Sequence, residues 1–236
     1  MSTVEQAKKL AARKAVDEFV KKGSIIGVGS GSTIVYAIER LGEKFHASAD
    51  FPVTCVPTSF QSRQLLRKHG LHVSDLELHH KLDVCIDGAD EVDSSLNLIK
   101  GGGGCLLQEK IVASCSERLV IIADYTKNSE VLGQQYKKGI PIEVVPMAYV
   151  PVKKKIEELF SGKLELRMAV AKAGPVVTDN GNFILDWVDF DQTVDWKLLN
   201  KQIIQIPGVV ETGLFIGMAS KVFFGMPDGS VVEKSK

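Results

Sequence analysis

Apolar residues recur at helical spacing through residues 4–21 (Val4, Ala7, Ala11, Ala15, Val16, Phe19, Val20) with charges between them, which predicts an amphipathic helix. Gly23 ends it. Residues 24–29 then form a short apolar run into a Gly/Ser loop, and helical spacing resumes over 33–44. The same order of strand, loop and helix recurs along the chain. Residues 53–56 run through Pro57-Thr58-Ser59 into a helix reaching His69, residues 84–86 run into Asp87-Gly88-Ala89-Asp90-Glu91, and residues 119–122 run into Ala123-Asp124-Tyr125-Thr126-Lys127. A further helix is expected over 105–117. Strands that are apolar on both faces and alternate with helices imply a parallel sheet covered on both sides.

From about residue 146 the texture changes. A helix over 152–160 precedes strands at 164–168, 176–178 and 182–187, a helix over 196–204 and a strand over 209–216. This order suits a small α+β unit, of the split βαβ kind. Residues 221–224 then return to the main sheet. The expected organisation is a main α/β domain over 1–145, a small α+β domain over 146–216, and a C-terminal return over 217–236. Asn180-Gly181 reads as a hairpin turn between 176–177 and 183–185, with a structural role.

A chain of 236 residues, 44% of them hydrophobic, is long enough for a sizeable core without covalent staples. The four cysteines, Cys55, Cys85, Cys105 and Cys115, form no CxxC pair, and three of them lie in apolar stretches and read as small buried hydrophobes of a reducing compartment. No apolar run approaches the ~18 residues of a membrane span, and the basic N-terminus lacks a following apolar region, so a cytoplasmic protein is expected. Lys plus Arg and Asp plus Glu each total 29. With no basic surplus, nucleic acid and anionic membranes are not expected partners, and any charged ligand must be held by local chemistry. His69 and His72 straddle Gly70 while His79 and His80 point apart, so no metal site is expected.

Candidate chemistry collects where the predicted strands end, and ligands of open α/β sheets bind outside the carboxyl ends of their strands. The first such loop, Gly27-Val28-Gly29-Ser30-Gly31-Ser32-Thr33, opens a helix. It combines close-approaching backbone, the hydroxyls of Ser30, Ser32 and Thr33, and free N–H groups, as a phosphate cradle needs. No Gly-Lys-Ser/Thr follows, so it is not a Walker A loop, and Ser32 takes the third glycine position of a dinucleotide fingerprint. Asp50 stands about where that fingerprint wants an acid. The alternative is a glycine turn with Ser/Thr capping. Residues 87–93 hold Asp87, Asp90, Glu91 and Asp93, which suit either proton chemistry or a solvated acidic turn, with a metal site ranked below both. Lys100 precedes four glycines, 101–104, whose bare N–H groups beside a lysine are what a developing oxyanion requires. Glu109 falls about 200° around the helix from Leu107, and so off the expected core stripe, free to act as a general base.

Several of these runs, taken in order with Ile122-Ala123-Asp124, Glu143-Val144-Val145-Pro146-Met147-Ala148 and residues 177–182, make the chain resemble the A type of ribose-5-phosphate isomerase from about Glu5 to Val232. The resemblance implies a Rossmann-like sheet with a smaller ferredoxin-like domain, usually in a homodimer or dimer of dimers. It also implies interconversion of ribose 5-phosphate and ribulose 5-phosphate in the non-oxidative pentose phosphate pathway, through a cis-enediolate and without a cofactor. The family's catalytic positions fall on Glu109, Lys100, Asp87 and Asp90. Its sugar and phosphate contacts fall on Ser30, Gly31, Ser32, Thr33, Gly88, Ala89, Gly101, Gly102, Gly103 and Lys127, with Lys8 added from the first helix. Two other readings compete. A sugar-phosphate sensor of a regulator would carry a DNA-binding module, for which a helix starting at Val4 is expected to leave no room. A coenzyme A transferase would use the glutamate as a nucleophile.

Overall fold

The computed structural model describes residues 2–47 and 52–236. Asp50, the acid that a dinucleotide site would require, lies outside the described residues. The main sheet has seven strands. In chain order they are β1 (Ile25–Val28), β2 (Thr54–Pro57), β3 (His72–Val73), β4 (Val84–Asp87), then, after a small sheet described below, β7 (Leu119–Asp124), β13 (Ala219–Gly225) and β14 (Val231–Ser235). Their order across the sheet is β14-β13-β7-β4-β1-β2-β3. Only the edge strand β14 runs antiparallel to its neighbour.

The period-2 rule assigns each strand residue to a face. Ile26, Val28, Val84, Ile86, Val120, Ile122 and Phe223 face one core, packed by α1 (Thr3–Phe19), α2 (Ile34–Ala47) and α3 (Phe60–Lys68). Cys85, Leu119, Ile121, Val222 and Phe224 face the other, under α4 (Leu106–Ser114) and a three-stranded sheet of β5 (Glu91–Val92), β6 (Leu98–Ile99) and β12 (Leu214–Phe215). Both faces are buried, as the continuous apolar runs require. Helix α1 rides close on β13, because a Cβ on Gly225 would stand 1.9 Å from the Ala7 carbonyl oxygen. Its buried stripe is correspondingly made of Ala7, Ala11, Ala12, Ala15 and Val16.

A third core belongs to a four-stranded antiparallel sheet of order β11-β8-β10-β9, with β8 (Ile140–Val144), β9 (Lys163–Leu166), β10 (Phe183–Val188) and β11 (Val209–Thr212), covered by α5 (Tyr149–Leu159) and α6 (Trp196–Ile204). This sheet begins with Ile140, inside the stretch assigned by sequence to the main domain. Pro141 in β8 hides the strand from sequence pattern. The expected strand over 176–178 is not formed. Thr178 instead closes the 178–182 turn, donating its N–H to the Asn182 carbonyl at 2.9 Å, and β10 pairs with β8 and β9. The expected strand over 209–216 is divided at Gly213 between two sheets, since a Cβ there would meet the Lys100 carbonyl oxygen at 2.2 Å.

Candidate active site

The carboxyl ends of β1, β4 and β7 converge on one cavity of about 250 Å³. The first glycine loop leaves β1 at Gly29, whose N–H donates to the Ile86 carbonyl of β4 at 2.9 Å. The Gly29 site has no room for a side chain, because a Cβ would lie 1.8 Å from Asp87 Oδ1. This close approach lets Asp87 Oδ1 accept the N–H groups of Ser30 (3.1 Å) and Gly88 (2.7 Å). Its other oxygen, Oδ2, stands 2.9 Å from Lys100 Nζ. Lys100 also donates to the Gly88 carbonyl at 2.6 Å and lies 3.3 Å from Glu109 Oε2.

All three of these charges are buried: relative exposure is 0% for Asp87, 2% for Lys100 and 5% for Glu109. Two carboxylates therefore share one ammonium in a low-dielectric setting, and they cannot both ionise without a penalty. Burial first, and the Asp87 charge second, raise the Glu109 carboxyl to about 8 against the pull of Lys100. Burial works against the Lys100 charge, but the fields of Asp87 and Glu109 outweigh it and hold the ammonium above the ordinary lysine range. The result is a fixed cation beside a carboxylate poised near neutrality, an arrangement that general acid–base chemistry uses.

The far end of the cavity is built differently. Ser30, Gly31, Ser32 and Thr33 wrap around it, and Lys8 and Lys127 close it. Lys8 Nζ donates to Glu5 Oε1 at 2.8 Å and to Ser32 Oγ at 3.1 Å, and Tyr36 donates its hydroxyl to the same Glu5. The Ser30 hydroxyl is engaged with Thr58 (2.8 Å) and Ser59 (2.7 Å), and the Gly31 N–H donates to Gln61 Oε1 at 2.8 Å. Ser32 and Thr33 thus present the hydroxyls left to meet an anion. Asp124 and Thr126 complete the wall before Lys127, with Asp124 capping that turn through the Thr126 N–H at 3.0 Å.

A hydroxyl-lined, lysine-closed cradle at one end and a buried Glu–Lys–Asp set at the other fit a small phosphorylated substrate. The family model described as ribose 5-phosphate isomerase A (phosphoriboisomerase A) matches residues 54–229. The chain belongs to the ribose 5-phosphate isomerase A family. Ribose-5-phosphate isomerases of Homo sapiens and Sus scrofa are each 58% identical to it over 236 residues, covering 100% of this chain and 75% and 76% of theirs. That of Dictyostelium discoideum is 58% identical over 234 residues, covering 99% of each chain. Among solved structures, a D-ribose-5-phosphate isomerase in complex with phospho-erythronic acid superposes with a TM-score of 0.94 at 39% identity, covering 100% of both chains. The ribose 5-phosphate isomerase A of Methanocaldococcus jannaschii gives 0.90 at 39% identity, covering 97% of this chain and 98% of that one.

Within this ribose 5-phosphate isomerase A fold, most of the residues expected from sequence line the cavity. Lys8, Ser30, Gly31, Ser32, Thr33, Gly88, Ala89, Asp90, Lys100, Gly101, Gly103, Glu109 and Lys127 are all on its wall. Asp87 is not on the wall; it lies beneath it, holding Lys100. Gly102 is also off the wall, and its N–H donates to Asp90 Oδ2 at 2.7 Å. The helical frame of Glu109 differs from the expectation. It shares the buried face of α4 with Leu106, Val112 and Ala113, because the stripe starts at Leu106 and not at Leu107. The acids of 87–93 disperse to separate partners: Glu91 accepts from Ser129 Oγ at 2.7 Å and from the Gln135 N–H, and Asp93 closes the 93–97 turn. Among the described residues no group of three or more His, Cys, Asp or Glu is arranged to hold a metal ion, and no helix is long and apolar enough to cross a membrane. Glu5, Tyr36, Gln61 and Arg167 support the site without having been expected from sequence. Tyr36, Gln61 and Arg167 act through partners far away in the chain, so no local pattern marks them, whereas Glu5 is three residues from Lys8 on the same helix.

Proposed function

We propose that the family reaction, interconversion of ribose 5-phosphate and ribulose 5-phosphate, runs on this chain through a cis-enediolate with Glu109 as the proton-moving base. The observation that carries this reading is the Glu109 carboxylate itself, buried on the cavity wall, raised to about 8 and 3.3 Å from a fixed ammonium. In the open-chain aldose, Glu109 takes the proton from C2. The electron pair forms the C1–C2 double bond, and the carbonyl oxygen becomes an oxyanion. Lys100 and the N–H of Gly103, both on the cavity wall, are the donors for that charge; one such donor is typically worth ~3 kcal/mol. Return of the proton to C1, with transfer of the C2 hydroxyl proton to the C1 oxyanion, completes the ketose. The hydrogen moves as a proton throughout, so the chemistry calls for no redox cofactor.

Asp90 is on the wall and Asp87 is not, which favours Asp90 for ring opening and hydroxyl proton transfer, with Asp87 fixing Lys100. Ser32, Thr33, Lys8 and Lys127 hold the phosphate, whose binding positions C1 and C2 at a distance. The same reading takes the chain to work in the cytoplasm as a homodimer or dimer of dimers. Its support is four free cysteines, two of them fully buried, and large apolar side chains left exposed at Phe60, Leu78 and Met147.

The deciding experiment follows hydrogen at C2. Wild-type protein in deuterated water exchanges it during turnover, whereas Glu109→Gln is expected to lose both exchange and conversion by at least about 10³-fold while still binding substrate. Exchange at the wild-type rate in Glu109→Gln would remove Glu109 from the role.

A further inference from the structure

The peptide groups of the glycine loop are held from behind by a residue of the small antiparallel sheet. Arg167 directly follows β9, and its side chain is only 17% exposed. Its Nε donates to Asp186 Oδ2 of β10 at 2.8 Å and its Nη2 pairs with Asp186 Oδ1, a two-pronged grip that fixes the guanidinium plane. The remaining Nη1 donates to the carbonyl of Gly101 at 2.9 Å and to that of Gly102 at 3.3 Å.

A trans peptide carries its C=O and the next N–H on opposite sides, and the described residues contain no cis peptide bond. The carbonyl of Gly101 therefore faces Arg167 while the N–H of the same peptide, that of Gly102, donates to Asp90 Oδ2 at 2.7 Å. Likewise the carbonyl of Gly102 faces Arg167, so the N–H of Gly103 points away from it, and Gly103 is on the cavity wall. A cation on a carbonyl polarises its peptide and strengthens the N–H as a donor. The Gly104 N–H closes the turn onto the Gly101 carbonyl at 2.9 Å, and Arg167 adds a charged donor from outside the loop to that carbonyl and to the carbonyl of Gly102.

We infer that Arg167, locked by Asp186, is a positioning residue of the isomerase reaction: it orients and polarises the 101–102 and 102–103 peptides so that one N–H holds Asp90 and the other serves the oxyanion. The small sheet thereby contributes to catalysis. This inference rests on the proposed roles of the loop and of Asp90 in isomerisation.

The test compares Arg167→Met, Arg167→Lys and Asp186→Asn with wild type. The readouts are kcat, KM for ribose 5-phosphate, and inhibition by phospho-erythronic acid and by inorganic phosphate. Arg167→Met is expected to lower kcat about 10- to 100-fold, the scale of a small misplacement at a reacting centre. KM and phosphate inhibition should stay within about threefold, because the cradle is untouched, while inhibition by phospho-erythronic acid weakens with kcat. Arg167→Lys keeps the charge but loses the fork, and Asp186→Asn leaves the fork loosely held, so both should fall between, and they serve if Arg167→Met does not fold. An unchanged kcat in folded variants, or an equal loss in kcat, phosphate inhibition and melting temperature, would overturn the inference. Glu109→Gln in the same series separates the two claims: if it stays active the proposed function fails, whatever Arg167 does.

Discussion

Glu109 is a carboxylic acid set in apolar packing between Leu106 and Val112, and that setting gives its ionisation a consequence for both rate and stability. For the rate, kcat/KM follows the free protein's base, so its acid limb should lie near pH 8 and not in the ordinary carboxylate range, falling about tenfold per pH unit below it. Asp87→Asn removes the neighbouring charge that helps raise Glu109 and should move the limb of the residual activity to lower pH. A limb at pH 4 to 5 in wild type would contradict this picture. For stability the sign is opposite to that of a salt-bridged acid. The folded value is raised, so the contribution is full below the unfolded value near 4.5 and is lost as pH rises through about 8. Urea titrations at pH 6 and pH 9 should therefore show Glu109→Gln gaining stability relative to wild type at the higher pH. The place of this residue at the cavity was legible from its sequence neighbours, a lysine and four glycines, yet its burial was not. Counting the helical stripe from Leu107 instead of Leu106 turns Glu109 to the wrong face, a one-residue shift that local pattern alone does not resolve.

Elements carry the next level of constraint, and at the junction of β1 and β4 it is severe. Any Cβ on Gly29 would meet both the side chain and, at 2.7 Å, the Cα of Asp87, so relief requires the two strands to part. Gly29→Ala should cost about 3 kcal/mol or more in urea unfolding, above the usual range for overpacking because backbone must move. It should also abolish turnover by detaching Asp87 from Lys100. Gly103→Ala is the control in the same site: nothing stands within 4 Å of its Cβ, and its melting temperature should be unchanged. Equal stability of the two variants would show that the β1–β4 contact tolerates separation. The long elements were readable from sequence for the physical reason that they bury continuous or periodic apolar faces: α1, β1, β4, β7 and α6 fall within a residue or two of expectation. The two-residue strands β3, β5 and β6 bury too little to leave a pattern. Edge strand β14 has only Val231 and Val232 as apolar positions, and β8 contains a proline. Arg167 was invisible because its partners are backbone carbonyls 65 and 66 residues earlier, a contact with no side-chain signature.

At the scale of the whole molecule, 29 cationic and 29 acidic side chains leave no net field to draw in a dianionic substrate. Attraction must come from within about a Debye length, ~10 Å at 0.1 M salt, of Lys8 and Lys127 at the end of the cavity proposed for the phosphate. Lys8 is the informative one because its position is set by the packing of the whole main domain. Helix α1 is pressed onto β13 at Gly225, and Glu5 and Tyr36 hold the ammonium beside Ser32. Glu5 neutralises part of that charge, so a phosphate held there as proposed competes with a carboxylate 2.8 Å away. KM for ribose 5-phosphate should then rise only about two- to threefold between 0.02 and 0.2 M salt, less than for a strongly basic protein, with kcat unchanged. Lys8→Ala should raise KM roughly tenfold, about 1.4 kcal/mol, flatten the salt dependence and leave kcat within about twofold, since phosphate binding is remote from C1 and C2. A KM in Lys8→Ala that matches wild type at low salt would place the phosphate elsewhere. A matching fall in kcat would mean that α1 governs the reacting end of the cavity as well as its anchoring end.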